Sequence, residues 1–134
     1  MNYWLIKSEP HKYSWEQFEK DGKTFWDGVR NYAARNNMRD MKLGDQCLFY
    51  HSNEGKEIVG IAEVERESYP DPTINDETWV AVDVKPIQKL SKTITLSEIK
   101  EHPVLKSMEM VRLNRLSVSK VTKKEFDLIK KLGS

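Results

Sequence analysis

QCLFYHS (46–52), Asn53-Glu54-Gly55 and EIVGIAEVERE (57–67) read together as two antiparallel strands joined by a tight turn. Apolar residues run unbroken from Cys47 to Tyr50, the pattern of a strand covered on both faces near its middle. In the second strand Ile58, Gly60, Ala62 and Val64 share one parity, which predicts a common face. Leu43-Gly44-Asp45 supplies the turn before the pair.

Upstream, Tyr3-Trp4-Leu5-Ile6 is aromatic and branched and stops at Ser8-Glu9-Pro10, a first strand ending in a turn. Ser14 followed by Gln17 is a capping-box pattern for a short helix that turns Trp15 and Phe18 inward and ends at Asp21-Gly22. Trp26 falls in a short loop, and Asn31 to Met41 reads as a polar second helix with Tyr32, Ala33 and Met41 inward. Downstream, Tyr69-Pro70-Asp71-Pro72 is expected to break the sheet. Trp79 to Leu90 is the next strand, with Pro86 marking an edge or a bulge. Thr95 to His102 predicts a helix ending before Pro103, and Leu116-Ser117-Val118 a last strand. Thr122 with Glu125 is a second capping box, opening a terminal helix that Gly133 closes. About five strands and four helices in mixed order favour an antiparallel, barrel-like α+β domain over a doubly wound one.

A chain of 134 residues fits one domain, here 1–134. Four Trp, five Tyr and four Phe argue against disorder. No apolar run is long enough for a membrane span, and MNYWLIKSEP lacks the basic and apolar regions of a signal peptide. Cys47 alone permits neither an intrachain disulfide nor a multi-Cys zinc site. His11, His51 and His102 have no metal-ligand spacing, so no metal is expected. A reducing cytoplasm, or a nucleus in a eukaryotic cell, is the expected address. The net charge of +1 conceals an uneven distribution. Residues 51–83 carry −7, whereas residues 84–134 hold twelve Lys/Arg against five Asp/Glu. A basic face follows if the fold gathers the last third on one side.

No catalytic constellation stands out. The six glycines form no phosphate loop, and no pair of carboxylates suggests acid–base work. Cys47 sits within an apolar strand, where an inert buried thiol is the ordinary role. His51 is a candidate general base or a hydrogen-bonded structural group. What the chain does offer is aromatic residues beside polar ones at strand ends: Lys7-Ser8-Glu9-Pro10, Trp26-Asp27-Gly28-Val29-Arg30-Asn31 and Phe49-Tyr50-His51-Ser52. Trp26 either caps the core or forms a wall for a planar ligand such as a nucleobase.

These clusters carry a resemblance. MNYWLIKSEP, FWDGVRNYAARNNMR, KLGDQCLFYHS, IVGIAEV, SYPDPT and RLSVSKVT together resemble the EVE domain, in order and over nearly the whole chain. EVE domains are similar to the PUA-like superfamily, alongside the YTH readers of methylated adenine. The implied fold is α+β: a PUA-like, mixed but mainly antiparallel β-barrel of about five or six strands flanked by short helices. The implied function is recognition of a modified base, such as 5-methylcytosine or 5-hydroxymethylcytosine in DNA or a methylated base in RNA. The YTH likeness rests on Ile6-Lys7-Ser8, on Trp26 as an aromatic-cage position, and on Ser52 followed by Gly60-Ile61-Ala62-Glu63. Glu9 departs from that pattern, standing where YTH domains have an amide, and a carboxylate suits the exocyclic amine of cytosine.

The expected protein is therefore a monomer that binds DNA or RNA and takes one flipped base, with no organic cofactor and no membrane contact. Trp26 would stack on the base, with Tyr50 or Tyr69 as a second wall. Ser8, Glu9, Asn31, His51 and Ser117 are the candidates for its polar edge. Arg30, Arg35, Arg39, Arg112, Arg115 and Lys120 are the candidates for phosphate contacts. An enzyme acting on a nucleotide, with His51 as base, and a protein-interaction module are the alternatives.

Overall fold

The computed structural model describes residues 1–134. Six strands form one sheet: β1 (Tyr3–Ser8), β2 (Thr24–Trp26), β3 (Gln46–His51), β4 (Glu57–Pro70), β5 (Val80–Thr95) and β6 (Val118–Val121). Their spatial order is β2-β5-β4-β3-β1-β6. Only β1 and β3 run parallel, because α1 (Trp15–Asp21), β2 and α2 (Tyr32–Asp40) intervene and carry the chain back to the same end. The remaining helices are α3 (Leu96–Glu101), α4 (Glu109–Arg112) and α5 (Lys123–Leu132), with a single 3-10 turn at Leu105–Ser107.

The mixed α+β class and the mainly antiparallel pairing match the sequence expectation, but the sheet is open rather than a closed barrel. Its edges are β2 and β6. The outer edge of β6 is already occupied by side chains. Asn37 Nδ2 donates to the Val118 carbonyl at 2.7 Å, and the Lys120 N–H donates to Glu109 Oε1 at 3.1 Å. With those groups satisfied, β6 has little left to offer another strand.

Both faces of the sheet are covered, which explains the unbroken apolar run in β3. Cys47 and Phe49 join Trp4, Ile6, Trp15, Phe18 and Met38 in one core. Leu48 and Tyr50 point the other way, into a core with Leu5, Ile99, Phe126 and Ile129.

The common face expected along β4 is interrupted. Phe49 pairs with Gly60 but Tyr50 with Ile58, so Val59 is an extra residue in the ladder. Ile58 is thereby turned to the core opposite that of Ala62 and Val64. Gly60 lies under the Trp15 indole, where an added Cβ would stand 2.5 Å from the ring.

Three further expectations change. Tyr69 and Pro70 extend β4, pairing with Ala81 and Val80, and Pro70 is tolerated because it ends the strand. Trp26 closes β2 opposite Val82 instead of lying in a loop. In α2 the buried side chains are Ala34, Asn37 and Met38, followed by Met41, a helical spacing that leaves Tyr32 and Ala33 exposed. The capping boxes at Thr122–Glu125 and Thr95–Glu98 are formed, the second not foreseen. Ser14 caps α1 alone, since the Gln17 side chain donates to Asp21 instead.

Candidate functional site

A cleft of about 360 Å³ opens where the end of β1, strand β2 and residues 27–30 meet Ser117. The pairing of β1 with β6 brings Ser8 and Ser117 together, since the Lys7 N–H donates to the Ser117 carbonyl at 3.0 Å. The pairing of β2 with β5 sets Trp26 against them. Thus Ser8, Glu9, Trp26, Arg30 and Ser117, five of the residues singled out in the sequence, line one depression.

Trp26 belongs to both core and cleft. Its ring stands edge-on to Phe49, with centroids 5.6 Å apart, and edge-on to Tyr13 at 6.3 Å. Only 9% of it is exposed. Tyr13 also lines the cleft, and burial together with its hydrogen bond to Asp21 pushes its phenol up to about 12. It therefore stays neutral, its hydroxyl donating to Asp21 at 2.8 Å.

The polar rim is preorganised. Ser8 Oγ donates to the Tyr13 carbonyl at 2.5 Å. Glu9 Oε1 accepts from Asn53 Nδ2 at 2.6 Å, and its other oxygen lies 3.2 Å from Lys12 Nζ. The Glu9 carboxylate is thus held in place, while its carbonyl accepts from the Lys12 and Tyr13 N–H groups in the turn after β1. Lys7 Nζ donates to the Asn114 carbonyl at 3.0 Å and lies 5.9 Å from the centre of the Tyr50 ring. Burial lowers the pKa of Lys7 from its ordinary value.

The lip of the cleft, residues 27–30, is pinned from outside by Asp71. One carboxylate oxygen accepts from the Gly28 N–H at 2.9 Å and from Arg30 Nη1 at 3.0 Å. The other accepts from the Thr73 N–H at 2.8 Å and the Thr73 hydroxyl at 2.5 Å. Burial alone would raise this carboxyl, but the hydrogen bonds from Thr73, Gly28 and Arg30 outweigh it and hold it at about 2. Gly28 takes φ of +75°, the left-handed conformation that lets its N–H reach Asp71.

The other residues singled out from the sequence lie elsewhere. Asn31 is the N-cap of α2, its side chain accepting from the Ala34 N–H at 3.0 Å. Tyr50 is on the far side of the sheet, because its neighbour Phe49 takes the face behind Trp26. Tyr69 donates to Asp83 at 2.5 Å beneath the Arg66 guanidinium, and burial and Asp83 push its phenol up to about 12. His51 Nε2 accepts from the Trp15 N–H at 3.1 Å, satisfying the first turn of α1. Burial lowers its pKa against the opposing pull of Glu57 and Glu16. A ring nitrogen so engaged is a structural acceptor, the second of the two roles the sequence left open for His51. Cys47 is fully buried and its thiol is pushed up by burial, as an inert core residue would be.

Among the basic candidates, only Arg30 reaches the cleft, and its charge is balanced by Asp71. Arg35 and Arg39 lie on α2, and Arg115 is exposed near Ser117. Arg112 and Lys120 border a separate depression of about 800 Å³ at the other end of β1, beside Tyr3 and Lys42. Five rising residues of strand separate the two depressions by roughly 16 Å.

Sequence reasoning missed Lys7, Tyr13 and Asp71. Lys7 stood inside a cluster already noted, so its neighbours could have indicated it. Asp71 was visible only as part of a turn signal, because the two partners that tie it to the cleft, Gly28 and Arg30, lie more than forty residues away.

Comparison with known proteins agrees with this architecture. Thymocyte nuclear protein 1 of Gallus gallus is 38% identical over 161 aligned positions, covering 95% of this chain and 66% of its own length. The chain thus spans about two thirds of that relative. The crystal structure of human THYN1 protein in complex with 5-methylcytosine containing DNA superposes with a TM-score of 0.92 at 34% identity, covering 100% of this chain and 98% of that one. A likeness of fold alone extends to the YTH domain of Zygosaccharomyces rouxii MRB1 protein in complex with N6-methyladenosine RNA. There the TM-score is 0.62 at 14% identity, over 99% of this chain and 86% of that one. The EVE domain family matches residues 2–132, and the chain belongs to that family.

Proposed function

We propose that this protein is a nucleic-acid-binding module that reads a modified base, of the 5-methylcytosine type or another methylated base, flipped into the cleft beside Trp26. The observation that carries this reading is the cleft itself: about 360 Å³, backed by an indole and rimmed by fixed polar groups. A base inserted there would lie against Trp26, and stacking on an aromatic residue is worth about 1–3 kcal/mol. Flipping costs a few kcal/mol of unstacking, so stacking must be joined by edge contacts. Ser8, Ser117 and Glu9 are the groups within reach of that edge. The relative in complex with 5-methylcytosine containing DNA supports a methylated-base ligand.

Lys7, Lys12 and Arg115, at or near the cleft, would meet the adjoining phosphates, and Arg112 and Lys120 a more distant part of the strand. On the same reading, the open sheet is a PUA-like barrel left unclosed between β2 and β6. The protein then acts by binding alone, as a monomer, with DNA or RNA as partner and no cofactor. The test is a binding panel of DNA and RNA oligonucleotides that differ only in one base modification. Preference for one modified base supports the reading. Equal binding of all members overturns base reading, and no binding even at low salt favours a protein-interaction module.

A further inference from the structure

Beside the cleft, four planar side chains form a ladder on the outer surface. Arg30 lies over the Trp79 ring, 5.7 Å from its centre. Trp79 stands 5.0 Å from Tyr32 at an interplanar angle of 37°. The Arg35 guanidinium lies over Tyr32, 5.0 Å from its centre. Tyr32 opens α2 yet is 61% exposed, turned away from the buried face formed by Ala34, Asn37 and Met38. Core packing therefore does not explain its place.

The geometry points to a second contact site: the Arg30–Trp79–Tyr32–Arg35 ladder is a stacking platform for the unpaired nucleotide next to the base held in the cleft. This rests on the base-reading function proposed above. Arg30 connects the two sites, since it lines the cleft and also covers Trp79. Asp71 fixes that connection by holding Arg30 and Gly28 together. The occupant is a nucleobase and not a phosphate, because Asp71 balances the charge of Arg30, and Asp76 and Glu77 lie in the segment that carries Trp79 and disfavour an anion there. Aromatic and guanidinium planes accept any base, so the platform adds affinity without sequence preference.

The experiment compares Tyr32→Ala and Tyr32→Phe with the unaltered protein against two probes: the modified nucleoside alone, and a short single-stranded oligonucleotide carrying that base with unmodified neighbours. Tyr32→Ala is expected to weaken the oligonucleotide about tenfold and leave the nucleoside unchanged. Tyr32→Phe is expected to restore oligonucleotide affinity, and the slope of affinity against salt should be the same for all three proteins. Unchanged oligonucleotide affinity in Tyr32→Ala overturns the platform while leaving the cleft intact. A reduced salt slope overturns it too, because it would make the ladder a phosphate contact. If no modified nucleoside binds but Tyr32→Ala still weakens the oligonucleotide, the cleft reading fails, and Tyr32 becomes a nucleotide contact independent of any held base, which overturns the platform as that base's neighbour.

Discussion

Arg30 Nη1 lies 3.0 Å from Oδ2 of Asp71, whose side chain is fully removed from solvent. The pair joins the lip of the cleft to the segment after β4, so its protonation state bears on both stability and binding. The folded carboxyl is held at about 2, below its unfolded value near 3.9. Its contribution is therefore complete above the unfolded value and is lost as pH falls from about 4 towards about 2. Asp71→Asn keeps the shape and removes the charge. It should cost about 2 kcal/mol at neutral pH. Denaturant unfolding of both proteins at several pH values should show that difference shrinking on acidification. A difference independent of pH would assign the effect to packing.

His51 makes a second, milder acid sensitivity. Its folded pKa lies below the unfolded one, because burial disfavours the imidazolium and Nε2 must accept from Trp15. The unfolded chain thus takes up a proton more readily, and stability falls as pH drops below about 6.5. His51→Gln offers an oxygen acceptor without a titrating group and should flatten stability between pH 7 and 5. An unchanged pH profile would show that His51 does not titrate on unfolding.

Much of the sheet was legible because its strands are marked locally. The apolar run 46–50 and the glycine-containing turn at 53–55 define the central hairpin without help from distant residues. The Val59 bulge was not legible, since it accompanies the Trp15 indole lying on Gly60, a contact between residues far apart in sequence. The same distance hid β2, whose three residues become a strand only by pairing with β5. In the cleft, Ser8, Glu9, Trp26 and Ser117 could be chosen because each sits at a strand end or beside one. Tyr50 was misplaced because adjacent strand residues face opposite sides, and nothing local says whether Phe49 or Tyr50 takes the side of Trp26.

Gly60→Ala tests the bulge. The new Cβ would meet three ring carbons of Trp15 at 2.5–2.7 Å, and Trp15 is itself packed against Phe18 and Phe49. Overpacking of this kind costs about 1–3 kcal/mol. Thermal unfolding should show a lowered Tm, and an unchanged Tm would mean that α1 shifts freely.

Trp26→Phe separates the two duties of that indole. Full truncation to Ala would cost about 3–5 kcal/mol because the ring is nearly buried, confounding any binding measurement. Phe keeps contact with Phe49 and Tyr13, so the protein should remain folded while base affinity falls severalfold. Calorimetric binding on a protein of verified Tm decides it, and full retention of affinity would confine Trp26 to the core.

Titration of isotope-labelled protein with a methylated oligonucleotide, followed by nuclear magnetic resonance, locates the bound base itself. The Trp26 indole N–H and the backbone amides of Ser8 and Ser117 should shift strongly with the methylated oligonucleotide, and less at equal concentration with its unmethylated counterpart. Burying one methyl group is worth about 0.8 kcal/mol, so the two affinities should differ about fourfold or more. Shifts confined to the surroundings of Arg112 and Lys120, with Trp26, Ser8 and Ser117 unmoved, would contradict a base bound in the cleft.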